Sequence, residues 1–317
     1  MAVGSRPLVP SRLRPGGVTG HGGGDRRPTT KLAGFVALTK PRIIELLLIT
    51  TVPTMVVADR GLPSPWLVLW TLVGGTLAAG GANAVNMVID RDIDRLMPRT
   101  QGRPLVTGVL RPAEALVFAL SLEALAFAVL WLAVNLLSAV LALSAMLFYV
   151  FVYTLWLKRT SRQNIVIGGA AGAVPVLVGW SAVTDSLDWA PVVLFVSIFL
   201  WTPPHFWALA IKYADDYRAA GVPMLPAVAS LETTSRSMIR YTVALWASTL
   251  VFGWAAELGV VYWVSASVLG AAFTWGCIDL HRNPTVKRSM RLFAFSITYV
   301  SLLFCAMAID TVAVHGI

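Results

Sequence analysis

Nine apolar runs set the terms for this chain, at approximately residues 42–58, 66–87, 115–134, 137–157, 165–184, 189–211, 238–256, 260–279 and 291–313. Each approaches the roughly 20 residues needed to cross about 30 Å of hydrocarbon. Lipid offers the backbone no hydrogen-bond partner, so runs of this length predict helices rather than barrel strands. The expected fold is an all-α polytopic membrane protein with nine transmembrane helices. The composition agrees, with 57% hydrophobic residues, 13% charged residues and a mean hydropathy of +0.72. It excludes a disordered protein, a secreted disulfide scaffold and an ordinary cytosolic enzyme. Cys277 and Cys305 sit in apolar stretches without the spacing of a zinc site or a disulfide framework.

A net charge of +9 would suit nucleic-acid binding were it not for where the charges fall. Of the 25 Lys and Arg residues, 24 lie in the N-terminal region or in alternate connections between runs, and only Arg60 lies opposite. The opposite connections carry Asp59, Asp185, Asp188 and Glu257. By the positive-inside rule the N-terminus is expected in the cytoplasm and the C-terminus outside, in the cell membrane, with the bilayer and not nucleic acid as the partner. Residues 1–37 read as a disordered basic cytoplasmic tail, rich in Gly, Pro and Arg in its first 31 residues and lacking the apolar core of a signal peptide. Residues 38–317 then form one intramembrane domain. The connections longer than a tight turn (88–114, 158–164, 212–237 and 280–290) all fall on the expected cytoplasmic side, so function is expected at that face.

The first of those connections is acidic. Asn86, Asp90 and Asp94 recur every four residues and so project from one side of a helix continuing past the membrane surface. Asp92 points elsewhere, toward solvent or a neighbouring arginine. Oxygen ligands without His or Cys suit a hard cation, and Mg²⁺ binds through one or two carboxylates while bridging to phosphate oxygens. Arg99 and Arg103 follow Pro98 with guanidinium forks suited to phosphate. The competing reading is charge balance, with Asp90, Asp92 and Asp94 offsetting Arg91, Arg95 and Arg99 in a solvated loop. The depth of Asn86 in the membrane favours the metal–diphosphate site. A second acidic cluster follows the sixth run, in K-Y-A-D-D-Y-R from Lys212 to Arg218.

The stretch Asn86–Asp94, followed by R-T-x-x-R-P-L at Arg99–Leu105, resembles the first signature of the UbiA-type intramembrane prenyltransferases. Four further segments narrow the likeness to the haem-farnesylating branch of that superfamily. They are K-P-R-I-I-E-L-L-L at Lys40–Leu48, L-K-R-T at Leu157–Thr160 with Asn164, T-P-P-H-F-W at Thr202–Trp207 and D-Y-R-A-A-G-V-P-M-L-P at Asp216–Pro226. The likeness covers roughly residues 38 to 313. Two departures stand out. Asn86 is followed by Met87 where many relatives have N-D, and the usual second D-x-x-x-D begins here with Lys212. A lysine there argues against a symmetric two-Mg²⁺ clamp and makes Lys212 a candidate binder of diphosphate or a haem propionate.

The resemblance implies farnesyl diphosphate and haem B as substrates and haem O and diphosphate as products, with haem-handling or oxidase-assembly proteins as partners. The expected site has Asp90, Asp94, Lys212 and Asp216 as catalytic residues, and Asp90, Asp94 and Asp216 as Mg²⁺ ligands. Asn86, Arg99, Arg103, Lys158 and Asn164 would take the diphosphate. His205, Lys212 and Arg42 would face haem, with His205 as a candidate iron ligand or, after Pro203 and Pro204, a partner for freed backbone groups. Phe148, Tyr149 and Tyr153 are candidate shields for an allylic cation, with ordinary packing equally in view. Glu45 is read as an intramembrane acid near Arg42, Glu123 as a mid-membrane packing residue, and Gly168, Gly169 and Gly172 as a small-residue face for close helix contact. The competing functions are prenyl transfer to a quinone precursor or another aromatic acceptor, and transport of an anionic substrate. Clustering of acids and arginines at one surface disfavours the transporter, whose sites lie near the midplane.

Overall fold

The computed structural model describes residues 28–316, and of residues 42–48 it describes the backbone alone. Nine long helices run through it and no strand occurs among the described residues. A short helix α1 (Lys31–Thr39) precedes α2 (Pro41–Asp59) and α3 (Pro65–Ile89). One turn later comes α4 (Arg91–Leu96), then α5 (Pro112–Ala133), α6 (Leu136–Thr160), α7 (Asn164–Thr184) and α8 (Trp189–Lys212). The short α9 (Ala214–Ala219) leads to α10 (Leu231–Ala255), α11 (Val260–Arg282) and α12 (Val286–His315).

Seven helices (α3, α5, α6, α7, α8, α11 and α12) are long and apolar enough to cross a membrane. The described apolar part of α2 is the shorter Ile49–Asp59. Helix α10 opens on the polar run Glu232–Ser237 before its apolar part begins. Large side chains such as Val117, Leu132 and Trp254 point outward, as a lipid-facing surface requires. The helix limits follow the expected runs to within a few residues, apart from α10, α12 and the end caps, which extend into polar sequence.

The expected tail through residue 37 is shorter than read. Thr30 accepts the Ala33 N–H at 3.2 Å and caps α1, which buries Gly34 and Leu38 against Leu110 and stacks Phe35 on Phe118. Apolar residues at 32, 35, 36 and 38 within a basic, polar region account for this helix. Residues 1–27 of the expected tail lie outside the described residues.

Two apolar cores result. A smaller one joins α1, α3 and α5 through Leu38, Val85, Met87, Leu110 and Ala119. A larger one joins α7, α8 and α10–α12 through Trp180, Trp201, Trp207, Phe252, Phe273 and Tyr299. The small-residue face is only partly as expected: a Cβ at Gly168 would strike Tyr153 at 2.3 Å and one at Gly169 would strike Thr202 at 2.8 Å, whereas Gly172 faces open space. Gly168 and Gly169 thus admit two different helices, α6 and α8. At the end away from the acidic connections, Arg60 pairs with Glu257 at 2.9 Å. Buried Asp310 of α12 accepts the N–H groups of Gly259 and Tyr262 and so caps α11.

Candidate active site at the acidic connection

Helix α3 ends at Ile89, yet the helical hydrogen bonding is not interrupted. Asp90 N–H donates to Asn86 O and Asp94 N–H to Asp90 O, each at 2.9 Å. The three side chains therefore stay on one stripe across the join between α3 and α4. All three are buried: Asp90 is 0% exposed, Asp94 2% and Asn86 3%. Asn86 donates to Asp90 Oδ2 at 2.7 Å and, with the same amide nitrogen, to Thr154 Oγ1 at 3.2 Å.

Cations from three segments converge there. Lys158 Nζ ion-pairs with Asp90 Oδ2, and Arg103 Nη1 reaches both oxygens of Asp94 at 2.6 and 2.7 Å. Lys40 Nζ donates to Asn86 Oδ1 at 3.1 Å. Burial, then the nearby Arg103 and Lys158, push the Lys40 ammonium down to about 7. Arg159 lies 3.9 Å from Asp90 Oδ1 and pairs fully with Asp92 at 2.7 and 2.8 Å. Asp92, 64% exposed, thus turns away as its spacing requires, and the Arg159 hydrogen bond lowers its carboxyl to about 2.

Local helix geometry delivers Lys158. Residues Phe148–Leu157 of α6 are a π-helix, a wider winding that recurs at functional sites. It turns buried Thr154 toward Asn86, stacks Tyr149 on Tyr153 at 5.4 Å and ends one residue before Lys158. Sequence reasoning found the aromatic residues but not Thr154. The signal is a threonine five residues from Tyr149, whose carbonyl it bonds at 2.8 Å.

Among the described residues the remaining candidates make no hydrogen bond or ion pair to this stripe. Arg99 donates to the Tyr217 hydroxyl at 2.9 Å and sits 5.3 and 5.2 Å from the Tyr213 and Tyr217 ring centres. Lys212, exposed, lies 5.2 Å from the Tyr213 ring centre. Asp216 is half-buried, while its neighbour Asp215 is 94% exposed and pairs with Arg218. Among the described residues no hydrogen bond or ion pair joins Lys212 or Asp216 to Asp90 or Asp94. Asn164 is fully buried at the start of α7; its Oδ1 accepts the Ile165 N–H at 2.6 Å and its Nδ2 has no partner.

His205 lies in the middle of α8. Its Nδ1 shares a hydrogen with Ser296 Oγ at 2.7 Å, and Trp201 and Phe293 stack on it at 4.2 and 4.8 Å. In place of the expected backbone group the partner is a serine of α12, and among the described residues no hydrogen bond joins Nε2. The side chains of Arg42 and Glu45 lie outside the described residues. Glu123 is buried against Gly81, with Oε1 unpartnered.

The donor set suits a hard cation held partly by its substrate. Asp90 Oδ1 is a buried acceptor with no hydrogen-bond partner, which an incoming cation satisfies. Among the described residues no three His, Cys, Asp or Glu side chains converge as a self-contained metal site. Two carboxylates completed by phosphate oxygens are the arrangement that Mg²⁺ accepts. Arg103 and Lys158 balance the two carboxylates, and Lys40, pushed down to about 7 beside them, gains its proton more readily when an anion enters.

The model of the UbiA prenyltransferase family matches residues 47–302. A Protoheme IX farnesyltransferase of Frankia alni is 53% identical over 288 residues, covering 89% of this chain and 99% of its own. One from Kineococcus radiotolerans is 53% identical over 298 residues, covering 88% of each chain, and one from Streptomyces avermitilis is 51% identical, covering 90% and 96%. Among solved structures, a digeranylgeranylglyceryl phosphate synthase superposes with a TM-score of 0.73 at 17% identity, covering 89% of this chain and 99% of that one. A UbiA homologue from Archaeoglobus fulgidus, bound to DMAPP and Mg²⁺, superposes with a TM-score of 0.63 at 19% identity, covering 89% and 99%. The acidic stripe, the helical fold and these likenesses meet in one conclusion: the chain belongs to the UbiA prenyltransferase family.

Proposed function

We propose that this chain transfers the farnesyl group of farnesyl diphosphate to a vinyl group of haem B, giving haem O and diphosphate. The observation that carries the transfer chemistry is the buried Asn86–Asp90–Asp94 stripe, held among Lys40, Arg103 and Lys158 with one carboxylate oxygen lacking a hydrogen bond. The acceptor rests on relatives about half identical over nearly the whole chain, whose name is Protoheme IX farnesyltransferase.

Asp90 and Asp94 would hold Mg²⁺, with Asp216 reaching in from the second acidic connection. Bound there, the metal supplies charge to the leaving diphosphate, the main requirement for ionising an allylic ester. Arg99, Arg103, Lys158, Lys40 and the Asn164 amide are the donors that would take the remaining phosphate oxygens. Lys158 and Arg103 are already ion-paired, so they would move from carboxylate to phosphate as the substrate enters. The allylic C–O bond breaks with its electron pair on diphosphate. The haem vinyl group attacks the allylic carbon, water adds to the cation so formed, and one proton leaves. Tyr149 and Tyr153 would present π-faces to the allylic cation and keep water from it. No activated nucleophilic side chain is required.

Lys212 and Arg42 would meet the haem propionates, and His205, with Nδ1 anchored on Ser296, would offer Nε2 to the iron. The full architecture we propose is nine spans with the N-terminus in the cytoplasm and the C-terminus outside, in the cell membrane. A reporter fused after residue 317 should be active outside and one after Arg162 inside; cytoplasmic activity of the first would overturn it. For the reaction, the full chain is expressed in cells lacking haem O and the extracted haem is weighed by mass spectrometry. A farnesylated, hydrated haem is expected. Unchanged haem B with a prenylated aromatic acceptor in the same extract would move the chain to another acceptor.

A further inference from the structure

The second acidic connection reaches the first through two tyrosines that no reading of the motifs had given a role. Tyr217 follows Asp216 directly, is 8% exposed, and accepts a hydrogen bond from Arg99 Nη2 at 2.9 Å. The Arg99 guanidinium carbon lies 5.2 Å from its ring centre and 5.3 Å from that of Tyr213, four residues earlier. The opposite partner of Tyr213 is Lys212, with Nζ at 5.2 Å from the same ring centre. Arg103 and Lys158 are engaged by carboxylates, whereas Arg99 is engaged by π-faces and a phenol. That difference has an electrostatic meaning. A carboxylate neutralises a guanidinium, while a tyrosine orients it and leaves its charge intact. Arg99 Nη2 is taken by Tyr217 and Met97 Sδ, and its buried Nε–H is an unsatisfied donor, which an anion's oxygen would satisfy.

We propose that Tyr217, with Tyr213, is a positioning residue that holds Arg99 as a pre-oriented, un-neutralised cation for the leaving diphosphate. The second connection would then act on the leaving group through a cation of the first. This rests on the reading of Arg99 as a diphosphate-binding residue.

The test is a double-mutant cycle on the full chain in detergent, with Mg²⁺ present and inorganic diphosphate as the titrated probe. Wild type, Tyr217→Phe, Arg99→Gln and the double variant are compared, with thermal unfolding as the check on folding. Tyr217→Phe keeps the ring and loses the hydroxyl; diphosphate affinity should fall about five- to tenfold, as for a hydrogen bond to a charged group at a partly wet site. In the Arg99→Gln background the same change should cost nothing further, because the tyrosine acts only through the arginine. In turnover, Tyr217→Phe should lower kcat/KM for farnesyl diphosphate and leave KM for haem unchanged. Equal losses in both backgrounds, or an equal rise in KM for haem, would overturn the proposal while leaving Arg99 in its role. An Arg99→Gln variant that binds diphosphate like wild type would instead overturn the reading of Arg99, and the proposal with it. Should Tyr217→Phe not fold, Tyr213→Leu, which removes the ring shared by Arg99 and Lys212, enters the cycle with the same expected and overturning results.

Discussion

The two acidic connections look alike as sequence and differ completely as structure. In the first, Asp90 and Asp94 are sealed from solvent; Lys158 of α6 holds Asp90, and Arg103, nine residues on, holds Asp94. In the second, Asp215 is almost fully exposed and pairs with Arg218 three residues on, while Lys212 lies at the surface against a tyrosine ring. The first is a charged interior assembled by tertiary structure; the second keeps its acid–cation pair local and exposed, and reaches the first connection through the Arg99–Tyr217 hydrogen bond. A carboxylate removed from water depends on the cations that ring it. A solvated one contributes little beyond its own neighbourhood.

Four measurements would break or sharpen that contrast. The largest effect is expected from Asp90→Asn or Asp94→Asn, which should reduce diphosphate release from farnesyl diphosphate by at least about 10³-fold, as for loss of a preorganised charge at a reacting centre. Asp215→Asn should leave the rate within about twofold, as an exposed pair implies. Comparable losses in the two connections would erase the distinction. Next is stability. Lys158→Met removes the nearest cation from buried Asp90, leaving Arg159 at 3.9 Å, and should cost on the order of 3 kcal/mol, read as a lower unfolding midpoint. Asp215→Asn, which loosens the exposed pair alone, should cost less than about 0.5 kcal/mol.

A third measurement addresses the haem side. His205→Ala should shift the Soret maximum of bound haem and weaken haem binding without changing diphosphate affinity. If the spectrum is unmoved in a folded variant, the contacts of His205 with Ser296, Trp201 and Phe293 are its whole role. The smallest effect concerns Asp92. Its folded carboxyl titrates at about 2, below the ordinary value, because Arg159 holds the charged form. That contribution to stability is complete above the unfolded pKa of about 4 and is lost as the pH falls through about 2. Because the pair is solvent-screened, Asp92→Asn should cost less than about 1 kcal/mol at neutral pH and should flatten the acid end of the stability curve.

Much of this was legible from residue order. Apolar run length predicted the helices, because lipid leaves the backbone no other partner. The four-residue spacing of Asn86, Asp90 and Asp94 predicted one stripe, and the stripe survives the join of α3 to α4. Asp92 turned outward for the same geometric reason. The short α1 was not legible: its nine residues fall far below a membrane span, and what stabilises it is contact with Leu110 and Phe118, about eighty residues away.

The sequence by itself determined the helical membrane architecture, the family and the carboxylates of the first connection, since each depends on local period or on residue type at fixed spacing. Only the tertiary structure decided which cation meets which acid. Lys40 and Lys158 reach Asn86 and Asp90 across 46 and 68 residues, and Tyr217 reaches Arg99 across 118. No periodicity encodes such distances, because they are set by how α2, α3, α6 and α8 pack. Packing likewise decided that one acidic connection is buried and the other solvated: burial is a property of what lies on top of a residue, and the residue's own neighbours in the chain do not carry it.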